Sequence, residues 1–142
     1  MSAKEKEALK SARNSYYYAL AILKGRFEKG EDVISKDAYY SYKYARNILK
    51  GKFEKGEIAI SKDTKYSYYY ARNILKGKFE KGEDAISKDA YCSKLYKENI
   101  YNIEKELKIK LETEQIKLEK EKKELEKLKI EFEKSELAEL LG

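Results

Sequence analysis

The sequence contains no proline, no histidine and no tryptophan, and only one cysteine and one methionine. Each absence removes a class of structure or chemistry. Without proline every backbone N–H can donate, so long helices can run without a kink. Without histidine there is no imidazole base, no Ser-His-Asp triad and no histidine-based metal site. The lone Cys92 excludes an internal disulfide and zinc clusters of the usual type, and it suits a reducing compartment. No apolar run approaches the ~18 residues that a membrane-spanning helix needs. The opening segment MSAKEKEALKSARN is charged and lacks the apolar stretch of a signal peptide. GEDAISKD is acidic without the spacing of a calcium loop, and KGKFEKGE lacks the pattern of a phosphate cradle. The expectation is a soluble, cytoplasmic protein that is not an enzyme and uses no cofactor or metal.

What the chain has in plenty is tyrosine, with 14 copies, and charge, with 41% Asp, Glu, Lys and Arg. Tyrosine buries a ring while keeping a polar tip, which suits half-exposed surfaces. The net charge of +6 is unevenly spread. Residues 1–96 hold 21 Lys and Arg against 13 Asp and Glu, whereas residues 97–142 hold 11 against 13. Any pull on an acidic partner therefore belongs to the first two-thirds.

Self-comparison reveals a 26-residue period. Units begin at Ser15, Ser41 and Ser67; the second and third agree at 21 of 26 positions, the first and second at 18. Each unit reads as two helices. Asp37, Asp63 and Asp89 occupy N-cap positions, where a carboxylate accepts a free backbone N–H. Ser41, Tyr44, Ala45, Ile48 and Leu49 then fall on one helical stripe. Gly25, Gly51 and Gly77 are expected to supply the left-handed stop. A shorter helix over about residues 54–62 turns Phe53, Ala59 and Ile60 inward. Neither helix buries its apolar stripe alone, which is the logic of stacked units. The fold class expected is all-α: a capping helix within residues 1–14, with Ala12-Arg13-Asn14 echoing Ala45-Arg46-Asn47, then a short α-solenoid of three repeats over 15–92. A right-angle helical bundle is the alternative architecture.

A fourth, partial unit opens residues 93–142. Ile103 replaces the stop glycine, and none recurs before Gly142, so the helix capped by Asp89 should run to about Leu140, ~75 Å at 1.5 Å per residue. One heptad stripe holds Leu107, Leu111, Leu118, Leu125, Leu128 and Phe132. A second holds Ile109, Ile116, Ile130 and Leu137. Two stripes favour a homo-oligomer built on this helix over a solvated single helix; packing on another partner is the alternative.

On the first helix of each unit, the positions farthest from the core carry cations and phenols. They are Arg13, Tyr17, Leu20 and Lys24, then Tyr39, Lys43, Arg46 and Lys50, then Lys65, Tyr69, Arg72 and Lys76. Tyr17, Tyr39, Lys43, Arg46, Lys50, Tyr69, Arg72 and Lys76 are the candidate contacts. The second helices are expected to form an acidic edge from Glu31, Asp32, Glu54, Glu57, Glu83 and Asp84. Tyr and Arg dominate protein-interface hot spots, and the same residues suit nucleic acid, with cations on phosphates and rings on bases. The interleaved carboxylates favour a protein partner over nucleic acid. Leu20 and Ala21 replace Arg-Asn in the first unit, marking either a contact graded along the array or a position packed under the N-terminal cap.

The core Tyr70-Ala71-Arg72-Asn73-Ile74-Leu75-Lys76-Gly77-Lys78-Phe79, followed by Gly82-Glu83 and Ile86, resembles a short helical repeat of phage, prophage and bacterial proteins. The resemblance spans about residues 12–102; the prolines common in that family's second helix are missing here. It implies an αα fold without a mechanism, and a phage protein that binds a host defence factor in the host cytoplasm.

Overall fold

The computed structural model describes residues 1–142. The chain is helical, without strands, and divides into two compact units, Met1–Ile103 and Glu104–Gly142.

In the first unit one series of elements recurs. The helices are α1 (Ala3–Ala8), α2 (Ala12–Tyr17), α3 (Glu31–Ile34), α4 (Ala38–Tyr44), α5 (Glu57–Ser61), α6 (Thr64–Tyr70), α7 (Glu83–Ser87) and α8 (Ala90–Leu141). After α2, α4 and α6 the chain widens into a π turn (Tyr18–Leu23, Ala45–Leu49, Ala71–Leu75). A short 3-10 turn then leads into α3, α5 and α7.

The aspartate caps stand where expected: Asp37, Asp63 and Asp89 accept the N–H of Tyr40, Tyr66 and Cys92, each at 2.8 Å. Ser11 does the same for Asn14 at 3.0 Å. The expected single helix over residues 4–14 is therefore two. Ala12-Arg13-Asn14 opens α2 and stands 26 residues before Ala38, not in the register of Ala45-Arg46-Asn47.

The helix stops also differ from expectation. The left-handed residues are Lys24, Lys50 and Lys76, at φ 53°, 52° and 51°, and no glycine has positive φ. The π turn explains the shift. The carbonyl of Ala45 receives the N–H of both Lys50 and Gly51, so the closing bonds reach one residue further than in an α-helix. The reversal then falls on the lysine before each glycine.

Glycine is needed at a different place. A Cβ on Gly56 would lie 2.6 Å from both Ser41 Cβ and the Phe53 ring, a distance no packed side chain tolerates. This contact lets the turn before α5 press onto α4. Beneath it the hydroxyls of Ser15, Ser41 and Ser67 donate to the carbonyls of Ala8, Ile34 and Ile60. Ser41, Tyr44 and Ala45 of the expected stripe are buried, whereas Ile48 and Leu49 are half-buried. Phe53 and Ile60 are buried and Ala59 is half-buried.

A buried polar chain joins successive units. The Tyr44 hydroxyl accepts the Phe27 N–H at 3.0 Å and donates to Glu31 at 3.3 Å. Tyr70 repeats this with Phe53 at 3.1 Å and Glu57 at 2.7 Å, and Tyr96 accepts the N–H of Phe79. Arg26 clasps Glu31 with two bonds of 3.0 Å, and Lys81 reaches Glu57 at 3.0 Å. Glu31 and Glu57 are therefore interior groups. That corrects the expected acidic edge: only Asp32, Glu54, Glu83 and Asp84 of that set face solvent.

The second unit is helical to Leu141, and every side chain in it is exposed. Leu107, Leu111, Leu118, Leu125, Leu128 and Phe132 are all among the exposed large hydrophobics, as are Ile109, Ile116, Ile130 and Leu137. No helix of the chain is long and apolar enough to cross a membrane.

Candidate partner-binding site

The outward positions of α2, α4 and α6 hold one cation and one phenol four residues apart, in alternating order: Arg13 and Tyr17, Tyr39 and Lys43, Lys65 and Tyr69. Residues so spaced are neighbours on a helix, and each cation lies over its own ring. Arg13 is 5.3 Å from the Tyr17 centroid, Lys43 5.7 Å from Tyr39, and Lys65 5.7 Å from Tyr69. Because the order flips from one helix to the next, cations and phenols form a checkerboard across the face.

Between α4 and α6 this face dips into a hollow of about 310 Å³, lined by Tyr39, Lys43, Arg46, Lys65, Tyr66 and Tyr69, together with Tyr42 and Asn73. The rings brace one another: Tyr39 packs edge-on against Tyr66 at 5.5 Å, and Tyr66 against Tyr69 at 6.1 Å. Asn73 donates to the Tyr42 hydroxyl at 2.8 Å. Burial pushes the Tyr66 phenol above its ordinary pKa while the Lys65 charge opposes that rise, so at neutral pH this hydroxyl keeps its proton and can donate.

Of the candidate contacts, the hollow gathers Tyr39, Lys43, Arg46 and Tyr69. Arg72 is exposed but does not line it, and Tyr17 lies on α2 beside Tyr40 at 6.4 Å. Lys50 and Lys76 are the left-handed residues that end their helices. Tyr42, Lys65, Tyr66 and Asn73 were not among the candidate contacts. The repeat itself carries the signal for the Tyr42–Asn73 pair, because Asn47 donates to Tyr16 across the same 31-residue interval at 2.8 Å.

That bond also accounts for Ala21. Its counterparts Asn47 and Asn73 each reach a tyrosine of the preceding unit, and α1, which precedes α2, contains none. Leu20 is 40% exposed, so it is not packed under α1, and the ridge loses its cation at that end. Beyond α6 the equivalents of Lys43 and Arg46 are Leu95 and Glu98, and a second hollow there is lined by Lys65, Tyr69, Asp89, Tyr91 and Cys92. Burial, then the Asp89 charge, pushes the Cys92 thiol above its ordinary pKa, which disfavours the thiolate.

No protein-family model, curated protein or solved structure matches this chain.

Proposed function

We propose that residues 1–103 form a short α-solenoid that binds an acidic protein partner, and that residues 104–142 join copies of the chain through their leucine stripe. The observation that carries the first part is the hollow between α4 and α6, where Lys43, Arg46 and Lys65 meet three tyrosines. Tyrosine offers large contact area at low entropy cost and arginine a planar fork of donors, the pairing that dominates interface hot spots. A nucleic-acid strand needs cations along its whole track. Here the ridge is broken by Leu20 on one side and by Leu95 and Glu98 on the other, which favours a compact acidic feature of a folded partner. The resemblance of the repeat core to phage and bacterial repeats makes a host defence factor one class of partner.

Arg46→Glu is expected to abolish capture of the partner from the native host while leaving helicity unchanged. Arg72→Glu, outside the hollow, is expected to retain it. Equal loss in both variants would refute a focused site. Appreciable affinity for generic RNA or DNA, falling steeply with salt, would replace the protein reading with the nucleic-acid one.

Self-association rests on the six exposed stripe residues of the second unit. An uncovered apolar seam of this length in water is relieved by pairing with another copy. Leu118→Glu with Leu125→Glu is expected to reduce the mass in solution to that of a single chain, read by light scattering. An unchanged mass would remove this role.

A further inference from the structure

Some cations of the first unit are neutralised within the chain and others are not. Arg26, Lys55 and Lys81 are each paired with a carboxylate, namely Glu31, Asp32 and Glu57. Lys43, Arg46 and Lys65 have no ion pair or hydrogen bond; the two lysines meet only tyrosine rings. Three like charges gathered at one concavity repel one another, and an anion bound among them relieves that repulsion.

The kind of anion follows from charge and geometry. A carboxylate brings one charge and two oxygens. A phosphodiester also brings one charge, and its continuing strand would run onto Leu20 or Glu98. A phosphate monoester brings about −1.5 to −2 charges at pH 7 and three acceptor oxygens. Its oxygens suit the Arg46 fork together with two ammonium groups, and the neutral phenols supply further donors. The volume of about 310 Å³ lies at the small end of ligand sites, enough for one phosphorylated side chain. The walls are rings braced edge to face, so the pocket needs little ordering on binding.

We infer that the hollow between α4 and α6 receives a phosphate monoester carried on a side chain of the protein partner. This rests on the protein-binding reading above and names the group at its centre. The side-chain carrier follows from the protein-binding reading; a free nucleotide, whose base could reach the neighbouring hollow at Tyr69 and Tyr91, is the other source of the same group, and the titration distinguishes the two.

Titration of the full chain with phenyl phosphate, phenylacetate and adenosine monophosphate, followed by amide chemical shifts, tests the inference. Phenyl phosphate is expected to saturate at millimolar concentration and shift residues 39–46 and 65–73, with phenylacetate roughly tenfold weaker. Arg46→Gln is expected to weaken phenyl phosphate by roughly tenfold, and Arg72→Gln to leave it unchanged. The inference is overturned by the absence of saturable shifts at about 10 mM phenyl phosphate, by equal binding of phenylacetate, or by equal loss in the Arg72 variant. Tighter binding of adenosine monophosphate would assign the site to free nucleotide and overturn the side-chain source. If any of these occurs while Arg46→Glu still abolishes partner capture, the protein-binding reading survives without the phosphate.

Discussion

Raising the pH from about 10 to about 12 is expected to unfold the first unit through its buried tyrosines. The Tyr44 phenol is pushed up to about 12 from an ordinary value of 10.0, first by burial and then by the neighbouring Glu31 charge, against the opposing bond from the Phe27 N–H. Tyr70 is raised for the same leading reason, with the bond to Glu57 as the next cause, and burial also raises Tyr96. A phenol whose pKa is higher in the folded chain holds its proton more tightly there than in the unfolded chain. Its contribution is whole below pH 10 and is lost as the pH climbs through the folded value. For Tyr44 alone the loss is on the order of 3 kcal/mol, a large part of the 5–15 kcal/mol typical of a domain. The last part of the rise in tyrosinate absorbance, that of the buried phenols, should therefore coincide with loss of tertiary structure in near-ultraviolet circular dichroism. Complete ionisation with the fold intact at pH 12 would contradict the buried network.

Tyr70→Phe is the second large effect. The substitution keeps the ring against Phe79, 5.0 Å away, and removes only the hydroxyl. Two buried groups are then stranded: the Phe53 N–H, bonded at 3.1 Å, and the Glu57 carboxylate, bonded at 2.7 Å. An orphaned buried donor costs ~1–3 kcal/mol, and loss of a hydrogen bond to a charged group a further ~1.5–3 kcal/mol. Lys81 still neutralises Glu57 from the other side, so the lower part of the combined range applies, about 3 kcal/mol. Urea unfolding measures it directly. Tyr69→Phe, on the half-buried ridge, is the control and should change stability by less than about 0.5 kcal/mol. The Tyr70 variant should also lose stability less steeply with alkaline pH, because one of the titrating phenols is gone. Equal effects of the two substitutions would mean that the hydroxyl chain does not link the units.

The two tyrosine classes separate what periodicity conveys from what it does not. Tyr39 and Tyr44 belong to the same helix, α4, and differ by five residues. Helical spacing alone assigns Tyr44 to the inner stripe and Tyr39 to the outer ridge, and both are found there, fully buried and 37% exposed respectively. The 26-residue period, the aspartate caps and the run of the last helix to Leu141 were legible for the same reason. They depend on near neighbours in the chain, whose relative positions a helix specifies.

Three features lay beyond that reach. The stop residue moved from glycine to lysine because a π turn adds one residue to the closing bonds, and identical residue types serve either ending. Glu31 and Glu57 read as surface charge because burial of a carboxylate requires partners, and theirs are phenols 13 residues later, Tyr44 and Tyr70, with Arg26 for Glu31 and Lys81, 24 residues later, for Glu57. The hollow needs Lys43 from α4 and Arg46 from the π turn after it set against Lys65 and Tyr69 from α6.

The amino-acid order by itself determined the recurring helices, their aspartate N-caps, their inner and outer faces, and the length of the final helix, since each is decided by interactions within a few residues. Tertiary packing alone decided which charges are buried and which stay unpaired. Those outcomes depend on how closely one helix presses on the next, and Gly56 against Ser41 sets that distance.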